Sequence, residues 1–220
     1  MKTRINKFVA ESTGLSRRQA DKLIEEGKVL VNNQVAQLGQ SINQNDLISF
    51  KGQVLKPLGA KTILLNKPVG YVCSRKGQGS KTIYALLPAD YAGLKPVGRL
   101  DKLSSGLIIL TNDGNLNFQL SHPKYSKNKV YEVELNKPLS QKDLSKITDQ
   151  GVLLSDGISK FSIKTLNNNK LKITMQEGRN RQIRRTFEAI GYHVTTLHRL
   201  QVGPFRLGNL RIGQFQEVKK

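Results

Sequence analysis

Asp101 stands out by its neighbours. Lys95-Pro96-Val97-Gly98-Arg99-Leu100-Asp101 runs into Ser104-Ser105-Gly106-Leu107-Ile108-Ile109-Leu110-Thr111-Asn112-Asp113-Gly114, so the carboxylate lies between a basic loop and an apolar strand. Glycine lets the chain turn there, and arginine supplies a planar fork for a phosphate or a base. Arg99, two residues before Asp101, points the same way on an extended loop. A carboxylate in a partly dry pocket stays ionised only beside a cation, because burial alone raises its pKa. Glu177-Gly178-Arg179-Asn180-Arg181-Gln182-Ile183-Arg184-Arg185 offers four arginines in seven residues. If that stretch opens a helix, its free N–H groups and its cations together make a phosphate site. Asn128-Lys129-Val130-Tyr131-Glu132-Val133 reads as a strand, which puts Lys129 and Tyr131 on one face. A phenol with a pKa near ~10 is a poor base unless tuned.

The whole composition points the same way. The chain has 220 residues and a formal charge of +20, from 36 Lys and Arg against 16 Asp and Glu. That excess predicts a polyanionic partner, since neutralised phosphates release counterions. A hydrophobic fraction of 37 % supports a sizeable core. No apolar run approaches the ~18 residues of a spanning helix, and the first ten residues lack the apolar block of a signal peptide. The expectation is a cytoplasmic monomer away from membranes. Cys73 is the one cysteine, in the strand-like run Tyr71-Val72-Cys73, and is expected to be a buried small hydrophobe. His193 and His198 are five apart, no helical ligand spacing, so neither metal nor cofactor is expected.

Residues 1–57 read as a separate module and 58–220 as a larger domain, with Leu55-Lys56-Pro57-Leu58-Gly59 as linker. Ile5, Phe8 and Val9 have helical spacing. Ser16-Arg17-Arg18-Gln19 has the form of a capping box for a second helix, which ends near Gly27. Asn32-Asn33 is a hairpin turn between valine-rich strands, and Leu47, Ile48 and Phe50 make a last one. The module gathers Arg4, Lys7, Arg17, Arg18 and Lys22. Its net charge is +4, from nine basic and five acidic residues, and +16 lies in the larger domain. There, strands are expected at 62–67, 129–135, 161–165 and 170–175, and helices at 115–121, 141–149 and 181–191. Without regular strand–helix alternation, the class is α+β.

The Gly98-Arg99-Leu100-Asp101 string, with its extension to Gly114, resembles the signature of RNA pseudouridine synthases, in particular the ribosomal RNA branch of RsuA/RluB/RluE/RluF type. The stretch from Gly14 to Gln34 resembles the small S-four-like (alpha-L) RNA-binding module. Together the resemblances span about Arg4 to Val218. They imply a catalytic domain with a mostly antiparallel mixed sheet flanked by helices, acting on ribosomal RNA without cofactor or metal. They assign Asp101 as the catalytic carboxylate, either nucleophile at the ribose or base removing a proton from it. Arg184, the arginine after Gln-Ile, is the position that ion-pairs with the aspartate. Tyr131 stacks on the flipped uracil and helps to move the proton from carbon five. Arg99 enters the RNA in the place of the flipped base. Lys129, Arg179, Arg181 and Arg185 bind RNA, while Leu197 and Leu200 form an apolar wall. Two positions depart from the pattern: Leu103, where a polar residue is expected, and Thr186-Phe187, where a methionine often comes first. Transfer RNA is a second possible substrate, and a non-catalytic ribosome-associated RNA-binding protein is a second class. A glycosidase is a third, but it needs two carboxylates, and the neighbourhood of Asp101 offers no clear second.

Overall fold

The computed structural model describes residues 2–218. The chain forms two compact units, Met1–Lys61 and Thr62–Lys220.

In the first unit, helix Ile5–Thr13 stops at Gly14, whose φ of 74° lets its N–H reach back to the Ala10 carbonyl. Helix Arg17–Glu25 starts with the expected capping box. The Ser16 hydroxyl accepts the Gln19 N–H, and the Gln19 side chain accepts the Ser16 N–H at 2.9 Å. Asn32 and Asn33 both have positive φ, 51° and 66°, as a tight two-residue hairpin turn requires between Val29–Val31 and Gln34–Val35. Ile48–Phe50 pairs on the other side of Val29–Val31. Ile5, Val9, Ala20, Ile24, Val29 and Ile48 close the core.

The second unit is a nine-stranded sheet. Its main order is Ser162–Thr165, Lys170–Met175, Lys129–Leu135, Val194–Val202, Ser105–Thr111, Thr62–Lys67, Phe215–Glu217. Lys95–Val97 pairs with Ser105–Thr111, and Phe205–Arg206 with Val194–Val202. All pairings are antiparallel except that of Val194–Val202 with Ser105–Thr111. This is the mostly antiparallel mixed sheet the resemblance implied. Ser105–Thr111 is central and buried along its length, which explains its unbroken apolar run. One face packs Ile63, Leu65, Ile108, Val133, Ile173 and Phe187, and the other packs Val97, Leu107, Ile109, Leu120 and Val202. Helices Gly114–Ser121, Gln141–Ser145 and Gln182–Glu188 flank the sheet.

The expected helix over 141–149 splits into an α-helical turn and a π-helical turn, Lys146–Gln150. The 181–191 helix spans only Gln182–Glu188: it starts one residue late, after Arg181 in left-handed backbone, φ 47°, and stops three residues early. Tyr71–Cys73 is no strand: only Val72 makes a bridge, to Thr82. Cys73 is buried, as its size suggested. Among the described residues no helix is long and apolar enough to cross a membrane.

Candidate active site

Asp101 lies in the turn between two paired strands, Lys95–Val97 and Ser105–Thr111. Gly98 opens the turn with φ 70°, and Leu100 is buried in the core. The backbone of this turn is anchored one carbonyl at a time. The Arg99 carbonyl accepts from Arg199 Nη1 at 3.4 Å and that of Leu100 from the Cys73 thiol at 3.4 Å. Asp101 O accepts the Ser104 N–H at 3.0 Å, and Lys102 O accepts the Gly70 N–H at 2.8 Å. Leu103 O accepts from Arg184 Nη2 at 2.8 Å, and Ser104 O from Lys67 Nζ at 2.6 Å. Every carbonyl from Arg99 to Ser104 is therefore held, mostly by residues distant in sequence. The Asp101 carboxylate itself takes no hydrogen bond among the described residues. The loop is thus held by its backbone and not through the Asp101 carboxylate.

That carboxylate faces a cleft of about 1060 Å³. Arg99, Lys129, Tyr131, Arg181, Leu197 and Arg199 share its walls with Asp101. Tyr131 reaches it from the Lys129–Leu135 strand, opposite Arg199 in register. Its ring is 7 % exposed, and its hydroxyl makes no hydrogen bond within the described protein. Lys129 lies on the same wall, its ammonium donating to the Gln176 carbonyl at 2.8 Å. Burial and the nearby Arg199 lower its pKa. A carboxylate without a hydrogen bond among the described residues, a buried tyrosine and several cations line one cleft.

Residues 61–189 match the family described as RNA pseudouridylate synthase. The chain belongs to that family. Residues 3–48 match the S4 domain. An RNA pseudouridine synthase of Aquifex aeolicus is 39 % identical over all of this chain and 92 % of its own length. The ribosomal large subunit pseudouridine synthase B of Bacillus subtilis is 35 % identical, over 98 % of this chain and 91 % of its own. The ribosomal small subunit pseudouridine synthase A of Pasteurella multocida is 34 % identical, over 98 % and 95 %. A crystal structure of a pseudouridylate synthase superposes with a TM-score of 0.71 at 32 % identity, covering 98 % of this chain and 96 % of that one.

Within this synthase, Arg184 sits differently from the ion pair that the resemblance implied. Its guanidinium donates to the carbonyls of Val194, at 2.7 Å, and Leu103, at 2.8 Å. It feels the Asp101 charge through space but makes no direct ion pair with it, and its Nε is buried without a partner among the described residues. Arg184 thus meets the Asp101 loop through the Leu103 carbonyl. Arg179 and Arg185 both grip Asp156, at 3.0 and 2.6 Å, and Arg179 also donates to the Ile158 carbonyl. They tie the hairpin Val152–Leu154/Gly157–Ser159 to the arginine turn. Arg181 is left exposed at the cleft without a side-chain partner in the described protein. In the first unit, Arg17 and Arg18 are exposed at a helix start. Lys7 and Lys22 make loose surface pairs with Glu11 and Glu26, at 3.8 and 3.9 Å, which stabilise little. The Arg4 guanidinium donates to the Gly39 carbonyl. Of the two wall leucines, Leu197 lines the cleft, whereas Leu200 packs on the far side of the sheet. The two departures from the family pattern leave the anchoring intact. The Leu103 side chain is exposed, so only its carbonyl serves the loop, and Phe187 is core.

Two buried cations escaped the sequence reading. Lys67 is 0 % exposed, with its ammonium on the Ser104 and Pro68 carbonyls. Arg199 is 4 % exposed; its Nε donates to the Leu107 carbonyl at 2.7 Å, and its Nη2 is buried without a partner. The signal was present. Ile63, Leu65 and Lys67 alternate onto the core face of one strand, as do Leu197 and Arg199 on another, so each cation stands where an apolar residue is expected.

Burial pushes the Lys67 ammonium down to about 8; the charges of Cys73 and Asp101 oppose this and that of Arg199 adds to it. Lys67 is cationic below that pH and neutral above it. Turnover is therefore expected to fall as pH rises through about 8, as the cation behind the Asp101 loop is lost. This falling limb should be missing from Lys67→Arg, whose guanidinium does not titrate there. A limb that Lys67→Arg leaves in place assigns it to another group. Loss of the fold would not explain it. With the folded pKa below the ordinary 10.5, the unfolded chain binds more protons between about 8 and 10.5, so this group's contribution to stability rises with pH in that window. Melts in the same buffers check the sign.

Proposed function

We propose that this enzyme converts uridine to pseudouridine at a defined site in ribosomal RNA, with Asp101 as the catalytic carboxylate. The N1–C1′ glycosidic bond breaks, the uracil turns, C5 bonds to C1′, and the C5 proton is lost while N1 gains one. Atoms balance without a redox partner. Asp101 acts at the ribose, as nucleophile or as base. Tyr131 stacks on the extruded uracil, and its hydroxyl helps to move the C5 proton. Arg99, Lys129 and Arg181 contact the RNA, and Arg99 fills the gap left by the flipped nucleotide, since a planar guanidinium both stacks and donates. Arg184, Arg199 and Lys67 are positioning residues for the loop.

The observation that carries this reading is the open carboxylate on a loop whose every carbonyl is anchored. Simple phosphate binding gives no reason to hold an unpaired anion in a cationic cleft. The ribosomal substrate is supported by the Bacillus and Pasteurella relatives, which are named as pseudouridine synthases of the ribosomal large and small subunit. The N-terminal module adds RNA affinity through Arg4, Lys7, Arg17, Arg18 and Lys22, and the larger domain carries the chemistry. A monomer acting in the cytoplasm is part of the same proposal.

Ribosomal RNA transcribed with uridine tritiated at C5 tests the reaction class. Pseudouridine formation releases that tritium to water, so the protein should liberate about one equivalent per target site. RNA that binds the protein tightly and releases none would turn the reading into one of a binding protein.

A further inference from the structure

Three rings come together beside the cleft. Helix Gly114–Ser121 gives way to a short turn, Pro123–Tyr125. Phe118 and His122, four residues apart, bring their ring centroids to 4.6 Å. Tyr125 meets Phe118 edge-on at 5.7 Å and His122 at 6.5 Å. Phe118 is 50 % exposed and Tyr125 38 %, although a neighbouring side chain of the same helix, Leu120, is buried. His122 belongs to the cleft wall as well as to the cluster. Its Nδ1 accepts the Lys124 N–H at 3.2 Å, which places the proton of the neutral ring on Nε2. The Lys127 ammonium lies 6.0 Å from the centre of the Tyr125 ring. From Gly114 to Tyr131 the sequence has Lys124, Lys127 and Lys129 and no Asp or Glu.

We propose that Phe118, His122 and Tyr125 form a stacking platform for an unpaired RNA base flanking the target uridine. This rests on the RNA reading above and extends it to Phe118 and Tyr125, which are not among the residues lining the cleft, joined to it by His122. Exposed rings suit bases because every base has a π-face, and the adjoining lysines suit the phosphates on either side. The carboxylate-free stretch disfavours a basic protein partner. The Nε2–H of His122 is a donor for a base edge at the point where platform and cleft meet.

The chain contains no tryptophan, so Phe118→Trp introduces a single reporter. Titration with a single-stranded oligouridine RNA is expected to quench the indole emission, with saturation matching the binding curve from anisotropy. Emission that stays constant while anisotropy shows saturated binding overturns the platform. This titration needs no turnover, so it stands apart from tritium release, which alone judges the reaction class. In a second measurement, Phe118→Ser/Tyr125→Ser is expected to raise KM for ribosomal RNA about tenfold, with the loss falling on KM rather than kcat and with an unchanged circular dichroism spectrum. A KM equal to that of the parent contradicts the proposal.

Discussion

Asp101→Asn is expected to lower the single-turnover rate of pseudouridine formation by at least about 10³-fold while RNA affinity stays the same or rises. The affinity half of this expectation follows from the sign of the charge. The substitution removes an anion from a cleft lined by Arg99, Lys129 and Arg181, so phosphates meet less repulsion. The rate half follows from how the loop is held. Its carbonyls are bound by Lys67, Gly70, Cys73, Arg184 and Arg199, none of which touches the carboxylate. An amide of the same shape leaves those bonds in place, so a lost rate reports the lost carboxylate and not a misplaced loop. Equal rates in parent and Asp101→Asn, by tritium release under enzyme excess, would remove Asp101 from the reaction. Asp101→Ala serves as the second variant, because an asparagine can hydrolyse back to aspartate and leave a trace of activity.

Gly106→Ala is expected to cost at least about 4 kcal/mol of stability, in the range that only a few mechanisms reach. Two of them coincide here. Gly106 has φ 101°, a region that side chains rarely occupy, and a Cβ built there would stand 2.3 Å from the Arg199 carbonyl oxygen and 2.4 Å from its nitrogen. Both are backbone atoms of a central strand, so no side chain can swing away. The contact falls at the parallel register Arg199↔Gly106, where the sheet joins its two halves. Relief requires the strands to part, which also pulls the Arg199 guanidinium from Leu107 O and Arg99 O. Thermal denaturation should show a melting temperature lower by roughly 10 °C, or failure to fold. A variant melting within about 2 °C of the parent would mean that the two strands are not pressed together as described.

Much of this was legible in the chain. The capping box at Ser16, the Asn32-Asn33 turn and the buried run Ser105–Thr111 each follow from local rules, and each is found in place. Pattern placed Lys129 and Tyr131 on one face of a strand, but that Tyr131 belongs with Asp101 came from the resemblance; both line one cleft. What failed was the detail set by packing. The resemblance implied that Arg184 pairs with Asp101, but whether a guanidinium meets that carboxylate or a backbone carbonyl two residues on depends on the turn, and here it donates to Leu103 O. Arg179 and Arg185 look like free phosphate donors until the hairpin around Asp156 folds against them. Lys67 and Arg199 were passed over because basic residues are read as surface by default, although strand alternation placed both on an inward face.

The central claim is that this chain makes pseudouridine in ribosomal RNA and that Asp101 does the chemistry. The most direct test incubates the parent protein and Asp101→Ala with ribosomal RNA of both subunits, as naked transcripts and as immature particles, and maps new pseudouridines by chemical tagging and primer extension. The expected result is one new site with the parent protein, in one of the two RNAs, and none with Asp101→Ala. No new site on any of these substrates, or the same site with both proteins, would contradict the account.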